Sequence, residues 1–359
     1  MGHLPIINQT TLRNVVTSGV HSIHSNLKSM WVKTTSDILS DILAVRKGDL
    51  IFPWIVKDSS GKNIGFKYVF KVAGDPYYVK GQDYPFCIPL ESEGLEFDVP
   101  LSEAEALDLW ERKLLWNAIG KKSLGRGRSL THQSPMEDKR LLDLLNEKNP
   151  KGPNKITLGN SEESGEKLTI NPKQSSIDRD FTNSIEELPE DKRISNLQLN
   201  KIQWRSGRFF VTEKTLEAWF MENIDKNTTD QFKRISFPEG KILWFANYLP
   251  FGVQGSNMDV VVLQELKEGT KLVHIIELKV SSLNKTGYEE ASKQVINYAF
   301  FLKDAFKAYE MDVNLNCIVL SGKSNPRDAL SQYSEIGLKT SWITYGIDDS
   351  GTVLFEKLV

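Results

Sequence analysis

The spacing of apolar and polar residues in the first 150 positions predicts helices alternating with strands. TTSDILSDILAV, residues 34 to 45, has its apolar residues at the spacing of one helix face. DLIFPWIV and GFKYVFKVAG, residues 49 to 56 and 65 to 74, have the composition of strands, and the loop between them suits a hairpin. Helical spacing returns at residues 102 to 120 and 135 to 149, so we expect a mixed α and β domain.

The C-terminal part of the chain predicts a second set of elements. Helices are predicted at residues 212 to 224 and 289 to 309, with a short one around residues 329 to 336. The predicted strands lie at residues 242 to 249, 258 to 266, 271 to 280, 316 to 322, 340 to 346 and 352 to 358. Three antiparallel strands, a crossover helix and further strands describe an α/β sandwich in which helices flank a mixed sheet.

Residues 151 to 200 differ in composition from the sequence on either side. Only 11 of these 50 residues are hydrophobic, and 16 are charged. Such a segment has too little apolar surface to bury, so it predicts a polar linker. The linker divides the chain into a domain at residues 1 to 150 and another at residues 201 to 359, each long enough for its own hydrophobic core.

The whole chain has the composition of a soluble globular protein. Its 359 residues include 45 Lys and Arg against 47 Asp and Glu, and the net charge of -2 excludes the strongly cationic, histone-like class. Cys87 and Cys317 are the only cysteines, so no disulfide framework or thiolate zinc site is expected within one chain. The sequence shows no signal peptide and no apolar stretch of about 18 residues, which favours a cytoplasmic protein without a membrane span.

Two acids and a lysine are candidates for a catalytic site in the second domain. In KLVHIIELKV the strand period of two places Glu277 and Lys279 on one face. If the preceding strand pairs through the EGTK turn, Asp259 lies near Glu277. The histidines lack metal-ligand spacing, so the expected ion is a hard cation on carboxylates, Mg²⁺ or Mn²⁺. Such an ion beside a lysine provides the charge neutralisation and activated water that phosphodiester hydrolysis needs.

In these residues the second domain resembles the PD-(D/E)XK nuclease superfamily, which has the restriction-endonuclease-like fold. A helix acid, an Asp, an ExK tripeptide and a Gln followed by a Tyr occur in the order found in RecB-like and archaeal mismatch-specific nucleases. The resemblance implies that Asp259 and Glu277 ligate the metal and that Lys279 serves the water. It also implies that Glu213 is the helix acid and that Gln294 orients the site.

Parts of this assignment have alternatives. Glu217 lies four residues from Glu213, so both share a helix face; the spacing from the helix end favours Glu213. The usual family motif has a Pro before this Asp. In this sequence Met258 precedes Asp259 instead. The alternative to the whole site is a solvated ion pair of Glu277 and Lys279 with no catalytic role. The apolar character of the surrounding strand argues against that alternative, because it is typical of a central strand where an unpaired charge is costly.

A basic run and two arginines are candidates for contacts to a nucleic-acid backbone. KKSLGRGR, residues 121 to 128, contains four cations, two Gly and no acid, which suits phosphate contacts from a loop. The candidate residues are Lys121, Lys122, Arg126, Arg128, Arg205 and Arg208. The alternative is that these residues are solvated and contact no partner.

The first domain resembles the PUA-like superfamily, in particular its EVE and YTH branches. The motifs are MWVKTT, RKGDLIFPWIV followed by GFKYVFKVAGDPYY, YPFCIPLE, and RSLTHQSPMEDKRLLDLL. The resemblance implies a mixed β-barrel that binds a modified or flipped base in an aromatic cage. Trp31 would be the first wall of the cage, and Trp54, Tyr78 and Tyr84 are candidates for the others. For each of the four, the alternative is an ordinary core or rim aromatic, and it is favoured for the three other than Trp31.

Together the two halves predict a modification-dependent DNA endonuclease. The first domain would read a modified base in double-stranded DNA, and the second would hydrolyse a phosphodiester nearby. A flexible 50-residue linker spans roughly 40 Å, so the cut would fall at a loosely defined distance. Cleavage of both strands would favour a homodimer. The alternatives are a repair or structure-specific nuclease and a non-catalytic reader or adaptor.

Overall fold

The chain forms two compact units that both combine helices with sheets. The computed structural model describes residues 1–23, 32–56, 63–79, 82, 84–116, 130–160, 165–168, 213–251, 256–279, 283–322, 333–348 and 352–359. One unit consists of Met1–Ser25 and Asp41–Leu168, and the other of Asn26–Ser40 and Thr169–Val359. The protein is therefore mixed α and β, as the sequence pattern predicts.

The first unit contains two sheets. Its described strands are β1 (Gly2–Leu4), β2 (Ile6–Ile7), β3 (Val20–Ile23), β4 (Leu50–Ile51), β5 (Trp54–Ile55), β6 (Gly65–Lys71), β7 (Tyr77–Tyr78), β8 (Phe86–Pro89), β9 (Glu93–Leu101), β10 (Thr131–Gln133), β11 (Asn154–Thr157) and β12 (Glu166–Lys167). The eight-stranded sheet has the order β10-β1-β4-β6-β5-β2, with β9 paired to β6 and β11 to β9. The four-stranded sheet has the order β12-β7-β8-β3.

Three described helices of this part begin at a side-chain cap. They are α1 (Gln9–Ser18), α3 (Glu103–Glu111) and α4 (Pro135–Lys148), while α2 (Val32–Leu43) is divided between the two units. Helix α4 starts at Pro135 because the Ser134 side chain accepts from the backbone of Glu137, whose carboxylate accepts from Ser134 in return. The predicted hairpin is confirmed, since β5 and β6 pair antiparallel.

The predicted linker and the observed structure differ at residues 154 to 157. These residues form β11, which pairs antiparallel with β9 from Asn154 opposite Glu96 to Thr157 opposite Glu93. Main-chain hydrogen bonds hold an added edge strand whose side chains are mostly exposed, and composition alone does not show this. The first unit therefore extends to Leu168.

The second unit is built on a seven-stranded sheet. Its described strands are β13 (Gly240–Phe251), β14 (Ser256–Leu266), β15 (Lys271–Lys279), β16 (Asn314–Gly322), β17 (Ser334–Glu335), β18 (Leu338–Ile347) and β19 (Val353–Lys357). The order is β13-β14-β15-β16-β18-β17, with β19 paired to β18. Strands β13, β14 and β15 are antiparallel neighbours, and β16 lies parallel to β15, so β15 is a central strand as its apolar sequence predicts.

Three helices in the described part of this unit pack on the sheet. They are α5 (Glu213–Asn223), α6 (Asp230–Ser236) and α7 (Lys285–Lys307), with a 3-10 turn at Asn227–Thr229. Helix α5 contacts β13, β14 and β15, and α7 contacts β15, β16 and β18. The rings of Phe220 and Phe355 each pack against Phe232, at centroid distances of 5.1 Å, which fixes α5 and α6 to the sheet.

The short helix predicted around residues 329 to 336 is wrong where the structure describes it. Ser334–Glu335 form β17, which turns back into β18. Both turn residues have a positive φ, 51° at Ile336 and 78° at Gly337, which is the backbone of a two-residue hairpin turn. Within the described ranges, no helix is both long enough and apolar enough to cross a bilayer.

Candidate active site in the second unit

The register of β14 and β15 brings the two predicted metal ligands together. Val260 pairs with Ile276, so Asp259 and Glu277 stand opposite each other one position further along. Residues directly opposite in a sheet project from the same face. Oδ2 of Asp259 accepts a hydrogen bond of 2.9 Å from the backbone nitrogen of Leu278, which fixes its carboxylate on β15.

Lys279 lies on the same face as Glu277 and contacts it. Its Nζ is 2.6 Å from Oε1 of Glu277 and 3.9 Å from Oε1 of Glu213. Glu277 is 1% exposed, and among the described residues its Oε2 has no hydrogen-bond partner. Burying a carboxylate oxygen without a hydrogen-bond partner costs free energy. The surroundings of Glu277 therefore differ from ordinary core packing.

Burial and mutual repulsion raise the pKa values of Asp259 and Glu277. Burial, and then the charges of Glu277 and Glu217, raise the pKa of Asp259 well above its ordinary value. The pKa of Glu277 is also raised, chiefly by burial, although the neighbouring Lys279 opposes the shift. Burial lowers the pKa of Lys279, but the charges of Glu277 and Glu213 outweigh it and leave the pKa raised, so Lys279 is an ammonium ion at neutral pH.

Both candidate acids of helix α5 face this site, but at different depths. The Glu213 side chain is 45% exposed and contacts Lys279 at 3.9 Å. Glu217 is 1% exposed, and its charge acts on Asp259. The structure therefore places Glu217 deeper beside Asp259, and Glu213 at the rim beside Lys279.

Three residues that the sequence analysis did not single out complete the surroundings of Glu217. Nδ2 of Asn247 on β13 lies 2.5 Å from Oε1 of Glu217, and Nζ of Lys214 lies 2.5 Å from Oε2. The same Nζ lies 4.3 Å from the ring centroid of Tyr248. The polar pair Asn247-Tyr248 inside the apolar strand sequence ILWFANYL was the available signal.

Gln294 lies next to the site on helix α7. It is exposed, and its Nε2 donates to the hydroxyl oxygen of Tyr298 at a distance of 2.5 Å. Tyr298 is buried, and burial together with the charges of Glu277 and Asp259 raises the pKa of its hydroxyl. Gln294 is therefore linked to the two acids through Tyr298 rather than by a direct contact among those described.

The aromatic candidates of the first unit do not form one group. Trp54 is 1% exposed and packs edge-on against Phe66 at 5.0 Å, inside the hydrophobic core, so its faces are closed to a base. Tyr78 is buried in the four-stranded sheet against Phe86. Tyr84 is 48% exposed and precedes β8 in the same hairpin. Core packing of the Trp54 ring accounts for the difference from the predicted cage.

The remaining candidates lie outside the described residues. They are Trp31, proposed as a cage wall, and the six cations Lys121, Lys122, Arg126, Arg128, Arg205 and Arg208. Their assignment therefore stays a prediction from the sequence.

Two comparisons with known proteins identified no relative of this chain. No model of a protein family matches the sequence, and no match was found among curated proteins. The functional argument consequently rests on the geometry of the site.

Proposed function

We propose that the second unit hydrolyses phosphodiester bonds in DNA at the site formed by Asp259, Glu277 and Lys279. The observation that carries this proposal is the pairing of two acids on adjacent central strands, Asp259 half-buried and Glu277 buried, with an ammonium group 2.6 Å from Glu277. Acids with raised pKa values and a specific charged partner are typical of functional sites. A sheet of this topology, with an acid-bearing helix before it, also fits the PD-(D/E)XK resemblance.

The cofactor we propose is Mg²⁺ or Mn²⁺, held by Asp259 and Glu277. The residues fit such an ion, because Oε2 of Glu277 is buried and lacks a partner among the described atoms, and because both donors are hard oxygens. The described residues contain no cluster of three or more His, Cys, Asp or Glu placed to hold a metal. Mg²⁺ commonly binds through one or two carboxylates and fills its sphere with water and phosphate oxygens. When bound, it activates water and offsets phosphate charge.

The protein side chains around the two acids have separate tasks in this proposal. Lys279, an ammonium ion in this environment, offsets the charge that develops on the scissile phosphate and orients the attacking water. Leu278 holds the Asp259 carboxylate through its backbone N–H, so the donor geometry is set by the sheet. Gln294 supports Tyr298, whose hydroxyl lies within electrostatic reach of both acids.

For the first unit, we propose recognition of a modified base in double-stranded DNA. Tyr84 supports this, because an aromatic side chain that is 48% exposed at the tip of a hairpin can stack on a base. Together with the PUA-like resemblance, this supports the proposal of a modification-dependent endonuclease. Replacing Tyr84 by Ala should weaken binding to modified DNA about tenfold, and Tyr77→Phe in the core of the same hairpin is the matched control.

The test of the proposed function is a cleavage assay with Mg²⁺ or Mn²⁺ on matched DNAs. Unmodified, methylated, hydroxymethylated and glucosylated duplexes are incubated with the wild-type protein and with Glu277→Gln, and the ends are mapped. Metal-dependent cuts near the modified base, lost in Glu277→Gln, are the expected result. Equal cleavage of all duplexes, or of branched DNA alone, would favour a structure-specific nuclease. Binding without any cleavage would favour a non-catalytic reader.

A further inference from the structure

Tyr248 has an unusual backbone conformation at the edge of the candidate site. Among the described residues other than glycine, four have a positive φ, and only Tyr248, at 52°, lies in a strand. The other three lie in turns. A bulky residue in the left-handed region is strained and persists only where its surroundings impose it, and such residues concentrate at functional sites.

The strained residue stands directly across the sheet from Asp259. Asn247 pairs with Val260 and Leu249 pairs with Met258, so Tyr248 lies opposite Asp259 and the ladder is interrupted between these pairs. Glu277 on β15 is the next residue across the sheet from Asp259. Strand β13 also has a register shift between Ile242 and Trp244, but its positive φ lies opposite the acid pair.

Asn247 and Tyr248 contact two polar residues of helix α5, Glu217 and Lys214. Asn247 donates to Oε1 of Glu217, and the ring of Tyr248 lies 4.3 Å below Nζ of Lys214. Lys214 in turn lies 2.5 Å from Oε2 of Glu217, and its side chain is only 16% exposed. An ammonium group over an aromatic face is attracted to the ring, more strongly when it is shielded from water.

We propose that Tyr248 is a positioning residue for the phosphodiester site: its left-handed backbone directs the ring against Lys214 and holds that ammonium on Glu217. This inference rests on the proposed function, which it deepens. A third carboxylate beside Asp259 and Glu277 would increase the negative charge of the site unless it is compensated. With Lys214 held on Glu217, Lys279 remains available to the water and the phosphate.

The first arm of the test does not depend on activity. Lysines are acylated with an N-hydroxysuccinimide ester, and the rate at each lysine is followed by mass spectrometry. Tyr248→Phe keeps the ring, whereas Tyr248→Asn removes it but tolerates the left-handed backbone. We expect Tyr248→Asn to raise the rate at Lys214 by about 2- to 5-fold and Tyr248→Phe to leave it unchanged. Lys267, which is 73% exposed, is the internal control. Equal rates at Lys214 in both variants would overturn the proposal.

The second arm measures DNA cleavage and thermal stability. We expect Tyr248→Asn to lower kcat by about tenfold with KM unchanged, and to melt no lower than the wild type. Because Tyr248 acts through Lys214, adding Tyr248→Asn to Lys214→Met should lower kcat no further. Additive losses, or a change in KM alone, would overturn the proposal. If the wild type cleaves nothing, the proposed function fails, while the acylation rates still decide whether Tyr248 holds Lys214.

Discussion

Nζ of Lys279 lies 2.6 Å from Oε1 of Glu277, two residues earlier on the same face of β15. A second Lys–Glu pair joins Lys271, at the other end of β15, to Glu265 on β14. Both pairs join a lysine to a glutamate, but of the two only the first lies beside a further acid, Asp259. The Lys271–Glu265 pair can therefore serve as a control for substitutions in the Lys279–Glu277 pair.

Replacing Lys279 by Met should lower the cleavage rate by about 100-fold or more, because a preorganised cation at the reacting phosphate is removed. Lys271→Met, at the other end of the strand, should change the rate by less than about twofold. Single-turnover cleavage of one modified duplex measures both variants. Full activity in Lys279→Met would remove this lysine from the mechanism.

Asp259→Asn should make the protein more stable while abolishing cleavage. The Asn oxygen can still accept from Leu278, but the cost of burying a charge at this position, and then the repulsion with Glu277, are gone. Because the pKa of Asp259 is raised in the folded state, the wild type is penalised only above the ordinary pKa of an Asp. We therefore expect the variant to gain about 1 to 2 kcal/mol at pH 8 in EDTA, and little at pH 3.5.

Denaturant unfolding at the two pH values checks this expectation. An Asp259→Asn variant that is less stable than the wild type at pH 8 would contradict a stability penalty from the ionised Asp259 carboxylate. A gain of the same size at both pH values would assign the effect to something other than ionisation.

The two acids of helix α5 should differ in their importance. Glu217→Gln places an amide donor among the donors of Asn247 and Lys214, so it should cost about 1 to 3 kcal/mol and reduce cleavage strongly. Glu213→Gln should change stability by less than about 0.5 kcal/mol, because its partially exposed contact with Lys279 is 3.9 Å long. Thermal melting and cleavage rates of the two variants are compared. A larger loss in Glu213→Gln would restore it as the helix acid.

His274 should contribute to acid unfolding of the second unit. Its Nε2 lies 2.8 Å from Oε1 of Gln264, and Nδ2 of Asn316 donates to its Nδ1 at 2.9 Å. The amide groups of both partners also donate to backbone carbonyl oxygens, of Pro238 and Ser236, so the ring is held in its neutral Nε2–H form. Burial lowers the pKa of His274 to about 3.

Because this folded-state pKa lies below the unfolded value of 6.5, the stability from neutral His274 is fully present above pH 6.5. It is lost as the pH falls from there towards 3. In His274→Gln, the free energy of unfolding should decline less steeply between pH 6 and pH 4, by a few kcal/mol at most. Urea unfolding across this range measures the slope, and parallel pH profiles for both proteins would rule out this contribution.

Trp54 and Tyr84 should separate folding from binding in the first unit. Trp54→Ala should cost about 3 to 5 kcal/mol, because the ring fills the core against Phe66. Tyr84→Ala should leave the melting temperature nearly unchanged, since the side chain is 48% exposed. Calorimetry of both variants makes the comparison, and a stable Trp54→Ala protein would reopen a surface role for Trp54.

The sequence by itself determined several of the elements and which of their side chains share a face. The helices at α4 and α5, the hairpin of β5 and β6 and the central character of β15 follow from local spacing and capping, which depend on near neighbours in the chain. The shared face of Glu277 and Lys279 follows from the strand period alone. Asp259 required one further step, the pairing of consecutive strands through a short turn.

Only the tertiary structure decided the depth and surroundings of these residues. The strand β11 and the turn at Ile336 and Gly337 depend on a distant pairing partner or on backbone geometry, neither of which composition reports. Which acid of α5 lies deeper depends on how the helix packs against β13, since both acids share one helix face. The same packing places Tyr248 against Lys214. Contacts between segments far apart in the chain are set by burial and register, and local patterns do not encode these.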